Sequence, residues 1–378
     1  MIEPDLKITR NKSHDSLRLL AALLVVFAHI RAFFILPIEN ISRPSMIEGI
    51  FYFFTSMGHQ AVMVFFVLSG YYVGGSALRR GDFSPRTFKF FLIARIVRLW
   101  LVLIPVMIVS ALLILPLCGE KKTTCSDIRI VSLNSDFVFS LSWDTFIGNI
   151  FFLQGFKAQF FGGNAPLWSL SYEFWLYLIF FALGGFFFKS RSWFTPIFAV
   201  TIIITITFLG MSVNWLIWFL VWISGAISSF LQVKVHSSIR ISSFSLCFLT
   251  LVLASATKFM GPNWREDQYS LIGDLFLGIS FAFVLTIFSE KQKKDTRMKS
   301  YSFPDFSYSL YALHFILILF LYLLARSKGF EISYSLKLES VLYFAALLNL
   351  IVLICYFFSL VTERYTYAVR KQISRLLA

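Results

Sequence analysis

Residues 90–117 read FFLIARIVRLWLVLIPVMIVSALLILPL: two arginines near one end, then an uncharged run from Leu99 to Leu117. A helix of about twenty such residues crosses the ~30 Å hydrocarbon layer of a bilayer. A membrane β-barrel would instead alternate apolar and polar positions over about ten residues. The same texture recurs along the chain. Ten apolar spans are legible, at about Leu17–Leu36, Gly49–Ala77, Phe90–Leu117, Trp168–Phe188, Trp193–Gly210, Asn214–Gln232, Ile241–Phe259, Tyr269–Ser289, Phe303–Ala325 and Ser340–Val361. The expected fold is therefore all-α and polytopic, with about ten transmembrane helices.

Composition excludes the soluble classes. Of 378 residues, 58% are apolar, 46 are phenylalanine and only 14% are charged, against roughly 25% charged in soluble domains. Mean hydropathy is +0.75. A soluble fold of this size cannot cover so much apolar surface. The net charge of +14 is the excess of basic residues expected of cytoplasmic loops and anionic head groups, so membrane lipids are the implied partner. No basic run interleaved with aromatics forms a nucleic-acid patch, and no nucleic acid is expected.

Charge also orients the spans. With the N-terminus in the cytoplasm, twenty Lys and Arg, from Lys7 to Arg375, fall in cytoplasmic segments and nine, from Arg43 to Lys337, fall opposite. The positive-inside rule then places both termini in the cytoplasm and predicts a multi-pass protein of the cell inner membrane. Residues 1–16 and 362–378 read as cytoplasmic tails around a membrane domain at 17–361. Leu141–Phe156 is apolar enough to cross, but a crossing there would send Lys291–Lys299 outside; it reads as re-entrant or interfacial within the outer loop 118–167. The apolar run at the N-terminus carries His29 and Arg31 with no small-residue cleavage site after it, unlike a signal peptide. Cys118 and Cys125 share the outer loop, where an oxidising side would pair them and a reducing one would leave two thiols. Cys247 and Cys355 read as packing residues. The chain has no CxxC, HExxH, Walker, GxSxG or GxGxxG pattern, so no metal is expected.

Ionisable residues inside the spans carry the chemistry. Arg18 and His29 are eleven residues apart, three turns plus about 20°, and so share a helical face with roughly 16 Å between them. That spacing suits a substrate with an anionic end at the inner surface and a reactive end within the bilayer, since Arg grips phosphate and His exchanges a proton near neutral pH. It equally fits an anchoring Arg and an unrelated His bonded to a neighbouring helix. Glu173, in the sequence Pro166–Glu173, stands at the expected outer end of the fourth span, where a carboxylate needs a cavity or a cation. Arg95 and Arg98 share a face at i, i+3, as would positive-inside anchors. Ser69-Gly70 is a small pair permitting close approach. His314 is either a bonded core histidine or a catalytic one. His14, His59 and His236 receive no role.

The order of these segments is similar to the membrane-bound acyltransferase 3 family. Asp15-Ser-Leu-Arg18 followed by ten residues and His29 resembles its opening helix. Phe65–Tyr71 resembles its F-F-x-L-S-G-F segment, Arg95–Arg98 its R-x-x-R, Trp168–Glu173 its W-S-L-x-x-E and Tyr308–His314 its Y-x-x-Y-x-x-H. The five fall in order along essentially the whole chain; Ser16 stands where the family usually has Gly, and the esterase-like domain of some members is not expected.

The resemblance implies transfer of an acyl group, usually acetyl, from cytoplasmic acetyl-CoA to a hydroxyl of a glycan acceptor such as LPS O-antigen or exopolysaccharide. In that reading Arg18, Arg95 and Arg98 hold the CoA phosphates. His29 is a general base or transient acyl carrier. Glu173 orients the acceptor or His29, and Ser69 stabilises an oxyanion. Asp15, Trp168 and His314 belong to the same motifs. A glycan or lipid transporter or flippase using these residues as a pathway is the alternative of another class, and acylation of a small molecule or with another acyl group is the alternative on the same fold.

The topology predicts that tags at Ala378 and within Lys291–Lys299 report the cytoplasm and that a tag near Lys121 reports the outside. A cytoplasmic signal near Lys121 overturns the ten-span arrangement.

Overall fold

The computed structural model describes residues 12–118, 140–187, 194–210, 213–231, 237–256, 267–288, 303–330 and 334–376. Among them the chain is nearly all helical, with no strand beyond isolated bridges. The helices are α1 (Lys12–Phe34), α2 (Met46–Thr55), α3 (Gly58–Ser69), α4 (Gly75–Arg80), α5 (Pro85–Cys118), α6 (Trp143–Ile150), α7 (Trp168–Phe187), α8 (Phe194–Leu209), α9 (Val213–Leu231), α10 (Ser237–Ala256), α11 (Asp267–Phe288), α12 (Ser307–Ser327), α13 (Leu338–Val361) and α14 (Thr366–Leu376). Each expected span falls on helix. Among the described residues, seven helical stretches are long and apolar enough to cross a membrane, and α10 and α11 contain shorter apolar stretches. The exterior is apolar, with Leu112, Phe186, Ile241 and Phe248 at 65–69% exposure, which suits lipid rather than water.

The span around Gly49–Ala77 is a composite. α3 runs into a π-helical turn at Gly70–Gly74 before α4. α9 crosses there at backbone contact: a Cβ on Gly70 would lie 1.8 Å from the Trp222 carbonyl oxygen, and one on Gly225 would lie 2.0 Å from that of Val67. Small residues permit such close crossings in a medium where dispersion and hydrogen bonds replace the hydrophobic drive. Trp222, fully buried, fills the space beside them.

Residues 140–167 hold the least regular described segment. α6 has eight residues, about 12 Å of helix, and cannot cross by itself. The chain after it turns at Phe152, Gly155, Gly162 and Gly163, all with positive φ. Most of its polar groups are bonded to protein, the amide oxygens of Gln154 and Asn164 being buried without a hydrogen-bond partner among the described residues. The Asn149 amide donates to the Thr145 and Gln159 carbonyls at 2.8 Å, the Gln154 amide to Leu167 O at 3.2 Å, the Trp175 indole to Phe152 O at 3.0 Å and the Trp100 indole to Ile150 O at 2.9 Å. The far end is pinned to α12, where Asn164 Nδ2 donates to Ala312 O at 2.9 Å and Tyr311 Oη donates to Pro166 O at 2.8 Å. Non-helical backbone within a membrane protein requires this covering.

α14 packs on α5. Cys118, at the end of α5, is disulfide-bonded; Cys125, its expected partner, lies outside the described residues, as do His236 and Lys291–Lys299.

Gly70→Ala and Gly225→Ala each force backbone apart and are expected to destabilise by about 3 kcal/mol or more, the upper end of ordinary overpacking. Gly49→Ala, where a Cβ meets nothing within 4 Å, is the control. Thermal unfolding in detergent is the measurement, and equal stability of the three variants overturns the close crossing.

Candidate active site

A cavity of about 60 Å³ lies between α1, α3, α5, α7 and α12. Arg18, Arg98 and Glu173 supply its charged walls, Ser69, Ser169, Ser307, Tyr308 and Tyr311 its hydroxyls, and Phe65, Phe66, Val73 and Leu170 its apolar surface. Arg18 reaches it from the second turn of α1. Its guanidinium lies 4.6 Å from the Tyr72 ring centroid and 4.0 Å from the Asp15 carboxylate, one turn back on the same helix. Asp15 thus steadies Arg18 from behind and is itself buried.

The two arginines of α5 diverge. Arg98 faces the cavity, whereas the Arg95 guanidinium sits 5.9 Å from the ring centroids of both Phe91 and Tyr177. Arg95 Nε is buried with no hydrogen-bond partner among the described residues. The i, i+3 spacing placed both on one face, yet Arg98 lines the cavity while Arg95 packs between the rings of Phe91 and Tyr177.

Glu173 lies elsewhere than its sequence position suggests. Expected at the opposite end of its span from the arginines, it shares their cavity. The cause is the irregular segment 140–167, which delivers the start of α7 beside the first two turns of α12, where Ser169 Oγ and Tyr311 Oη are 2.6 Å apart. Ser69 Oγ donates to Glu173 Oε1 at 2.5 Å, the Tyr177 hydroxyl donates to the same oxygen, and the Trp222 indole donates to Ser69 Oγ at 3.3 Å. A hydroxyl has one proton. That of Ser69 is engaged by Glu173, so in this arrangement Ser69 fixes the carboxylate instead of donating to an oxyanion.

His29 is not among the residues lining this cavity. It faces α12, where His29 Nδ1 is 2.9 Å from His314 Nε2, and His314 Nδ1 is 2.9 Å from Leu310 O. His314 is fully buried. The bonds have one direction when both rings are neutral. A carbonyl only accepts, so His314 Nδ1 carries its proton and His314 Nε2 accepts; His29 Nδ1 therefore donates. The Val25 carbonyl, one turn back on α1, also accepts from the His29 ring; with Nδ1 carrying the proton, the lone pair of His29 is left on Nε2. Phe315 meets the His29 ring edge-on, with centroids 5.0 Å apart. The partner that orients His29 is thus His314; Glu173 bonds Ser69 and Tyr177 instead.

Sequence reading passed over several members of these networks. Tyr177 follows Glu173 by four residues, a spacing that puts both on one face and was the available signal. Glu363 Oε2 accepts from both the backbone N–H (2.9 Å) and hydroxyl (2.8 Å) of Ser309 in the first turn of α12; no local pattern predicts that pairing. His14 Nδ1 bonds the Tyr72 hydroxyl at 2.8 Å, beside Arg18. Trp168, which the sequence did single out, packs on Trp218 with centroids 4.9 Å apart; its neighbour Ser169, which was passed over, lines the cavity.

The chain matches the acyltransferase 3 family, described as an acyltransferase domain, over residues 11–360. It belongs to that family and is a multi-pass membrane acyltransferase. No curated protein and no solved structure matches it.

The imidazole relay makes a separate prediction. His314→Phe removes the acceptor for His29 Nδ1–H and is expected to lower acyl transfer about tenfold, the worth of one lost hydrogen bond of ~1–1.5 kcal/mol. His314→Gln, whose amide oxygen accepts, should keep more activity. Transfer rates at matched membrane expression decide it, and equal activity of His314→Phe and the unaltered protein overturns the relay.

Proposed function

We propose that the protein moves an acetyl group from cytoplasmic acetyl-CoA onto a hydroxyl of a surface polysaccharide, such as LPS O-antigen or exopolysaccharide, from the cell inner membrane, with ten crossings and both termini in the cytoplasm. The observation that carries this reading is the meeting of Arg18 and Arg98 in one cavity with hydroxyl-bearing walls, on a helix that also presents an available histidine nitrogen.

CoA is a polyanion. Arg18 and Arg98 are suited to its phosphates because a guanidinium stays charged and bonds phosphate through two donors at once. Arg95 contributes positive potential from beside Tyr177. Asp15 and the Tyr72 ring restrict Arg18, which lessens the side-chain ordering that phosphate binding requires. The pantetheine arm carries the thioester away from the arginines toward His29, about 16 Å along α1. There Nε2 takes either the proton of the acceptor hydroxyl or the acyl group itself. When bound, acetyl-CoA supplies the activated acyl carbon. The protein positions it, excludes water and handles the proton. Glu173, fixed by Ser69 and Tyr177, gives the cavity a carboxylate of defined orientation. It balances Arg98 when no anion is present and accepts from hydroxyl or amide groups of a bound donor.

Arg18→Ala and Arg98→Ala should each weaken acetyl-CoA binding by about ten- to a hundredfold, the ~1.5–3 kcal/mol of a hydrogen bond to a charged group. Arg95→Ala should cost less. His29→Ala and His29→Gln should bind CoA normally yet lose about 10²–10⁴ in transfer rate, because glutamine exchanges no proton near neutral pH. Calorimetry in nanodiscs and the O-acetyl content of surface glycan are the two readouts. Unchanged CoA affinity in Arg18→Ala and Arg98→Ala rejects the donor site; substantial transfer by His29→Gln rejects the chemical role of the ring.

A further inference from the structure

On α3, the helix packed against α1, lies a second histidine in a setting made for proton transfer. His59 Nε2 is 2.9 and 2.8 Å from the two oxygens of Asp274, on α11. Asp274 is 2% exposed and accepts a further hydrogen bond from the Trp218 indole at 3.0 Å. The carboxylate only accepts, so His59 Nε2 carries the proton. In the neutral ring the lone pair is then on Nδ1, which has no hydrogen-bond partner among the described residues. The Trp168 indole stacks on the imidazole, with an interplanar angle of 17°, and holds its plane. The His59 side chain remains 27% exposed. A buried carboxylate behind an imidazole, with the opposite nitrogen reachable, is the arrangement by which a histidine is oriented and its imidazolium stabilised.

The position matches the geometry of the reaction. α1 and α3 touch where a Cβ on Gly58 would lie 2.7 Å from Ala28 Cβ. The residues that follow in each helix are His59 and His29, so the two histidines stand at one depth. Ten residues of α3, about 15 Å, separate His59 from Ser69 at the arginine cavity, nearly the 16 Å between Arg18 and His29. Between His59 and that cavity lies Phe66, which lines the cavity and meets the Trp168 ring edge-on.

We propose that His59, oriented by Asp274 and Trp168, is the acceptor-side base, in a subsite that takes a hydroxyl of a carbohydrate. The inference rests on the acyl-transfer reading above and extends it, since an imidazole carrying an acyl group on Nε2 has no lone pair there to deprotonate the acceptor. His59 Nδ1 takes the hydroxyl proton as the hydroxyl oxygen bonds to the acyl carbon. The bond from that carbon to its carrier, the CoA sulfur or the His29 nitrogen, breaks, and the proton passes from His59 to the departing carrier. The aromatic rings of Trp168 and Trp218 beside the imidazole give this subsite an apolar wall.

The test uses the full-length protein. His59→Gln keeps a donor for Asp274 but no base, and Asp274→Asn keeps an acceptor for His59 without the negative charge. Each is expressed at matched level in cells lacking the native copy, and the O-acetyl content of the isolated surface polysaccharide is measured. Affinity for CoA is measured in nanodiscs. Both variants are expected to bind CoA as the unaltered protein does, and His59→Gln is expected to lose about a hundredfold or more in transfer. Imidazole added to membranes carrying His59→Ala should restore part of it. Transfer by His59→Gln at the unaltered level overturns this proposal alone. So does a loss of CoA binding that parallels the loss of transfer, which would make His59 a packing residue. An unaltered protein that binds CoA and acetylates no glycan overturns both this proposal and the reading on which it rests.

Discussion

Two hydrogen bonds, from Asn164 to the Ala312 carbonyl and from Tyr311 to the Pro166 carbonyl, seat an irregular stretch of backbone against α12. The charged cavity depends on that seating. A polar backbone at membrane depth is stable only when protein satisfies it, and here the side chains of Asn149, Gln154, Trp100 and Trp175 cover the rest. Because the stretch enters the bundle, α7 begins inside it and carries Glu173 to the arginines. A conventional span starting at the opposite surface would leave the carboxylate a membrane half-thickness away.

In the proposed reading the site divides into an anion-binding region and a proton-handling region about 15 Å apart along two touching helices. Arg18 and Arg98 define the first, and Ser69, Tyr177 and Trp222 hold Glu173 in place beside them. The second is built on imidazoles whose outer nitrogens are left available by bonds made on the inner ones: His29 through His314 and Leu310, and His59 through Asp274. Both devices are rigid because they are anchored on transmembrane helices, and rigidity of this kind is what allows a charge or proton to be stabilised without reorganisation. The separation is of the scale of an extended thioester arm, as the proposed acyl-CoA donor requires.

The close crossing of α3 and α9 is the second structural requirement. The glycines at 70 and 225 let backbone meet backbone, and the π-helical turn that follows repositions α4 so that the Arg79 guanidinium reaches the Ser229 carbonyl at 3.1 Å. Trp222 gains its contact with Ser69 from the same crossing. Thus the helix pair that fixes the inner geometry of the bundle also fixes one wall of the site.

Much of this was legible in the sequence, and the reason is the bilayer. A hydrocarbon solvent demands long apolar helices and penalises every charge within them, so the spans and the few intramembrane residues Arg18, His29, Arg95, Arg98 and Glu173 stand out in one dimension. Helical periodicity settles which of them share a face. It does not settle what lies opposite that face. The partnership of His29 with His314 joins positions 285 residues apart and that of His59 with Asp274 joins positions 215 apart; no local rule reaches across such separations. Nor does periodicity give the depth at which a helix begins. Glu173 read as remote from the arginines because a re-entrant or interfacial stretch at 141–156 leaves open how deep the next helix begins, and Ser69 read as an oxyanion donor because its carboxylate partner was invisible. Composition and spacing determined the solvent, the helices and the chemical types available. Tertiary packing decided which of those groups meet, which proton each one holds and which nitrogen is left free, since hydrogen bonds form between neighbours in space and the chain order does not specify them.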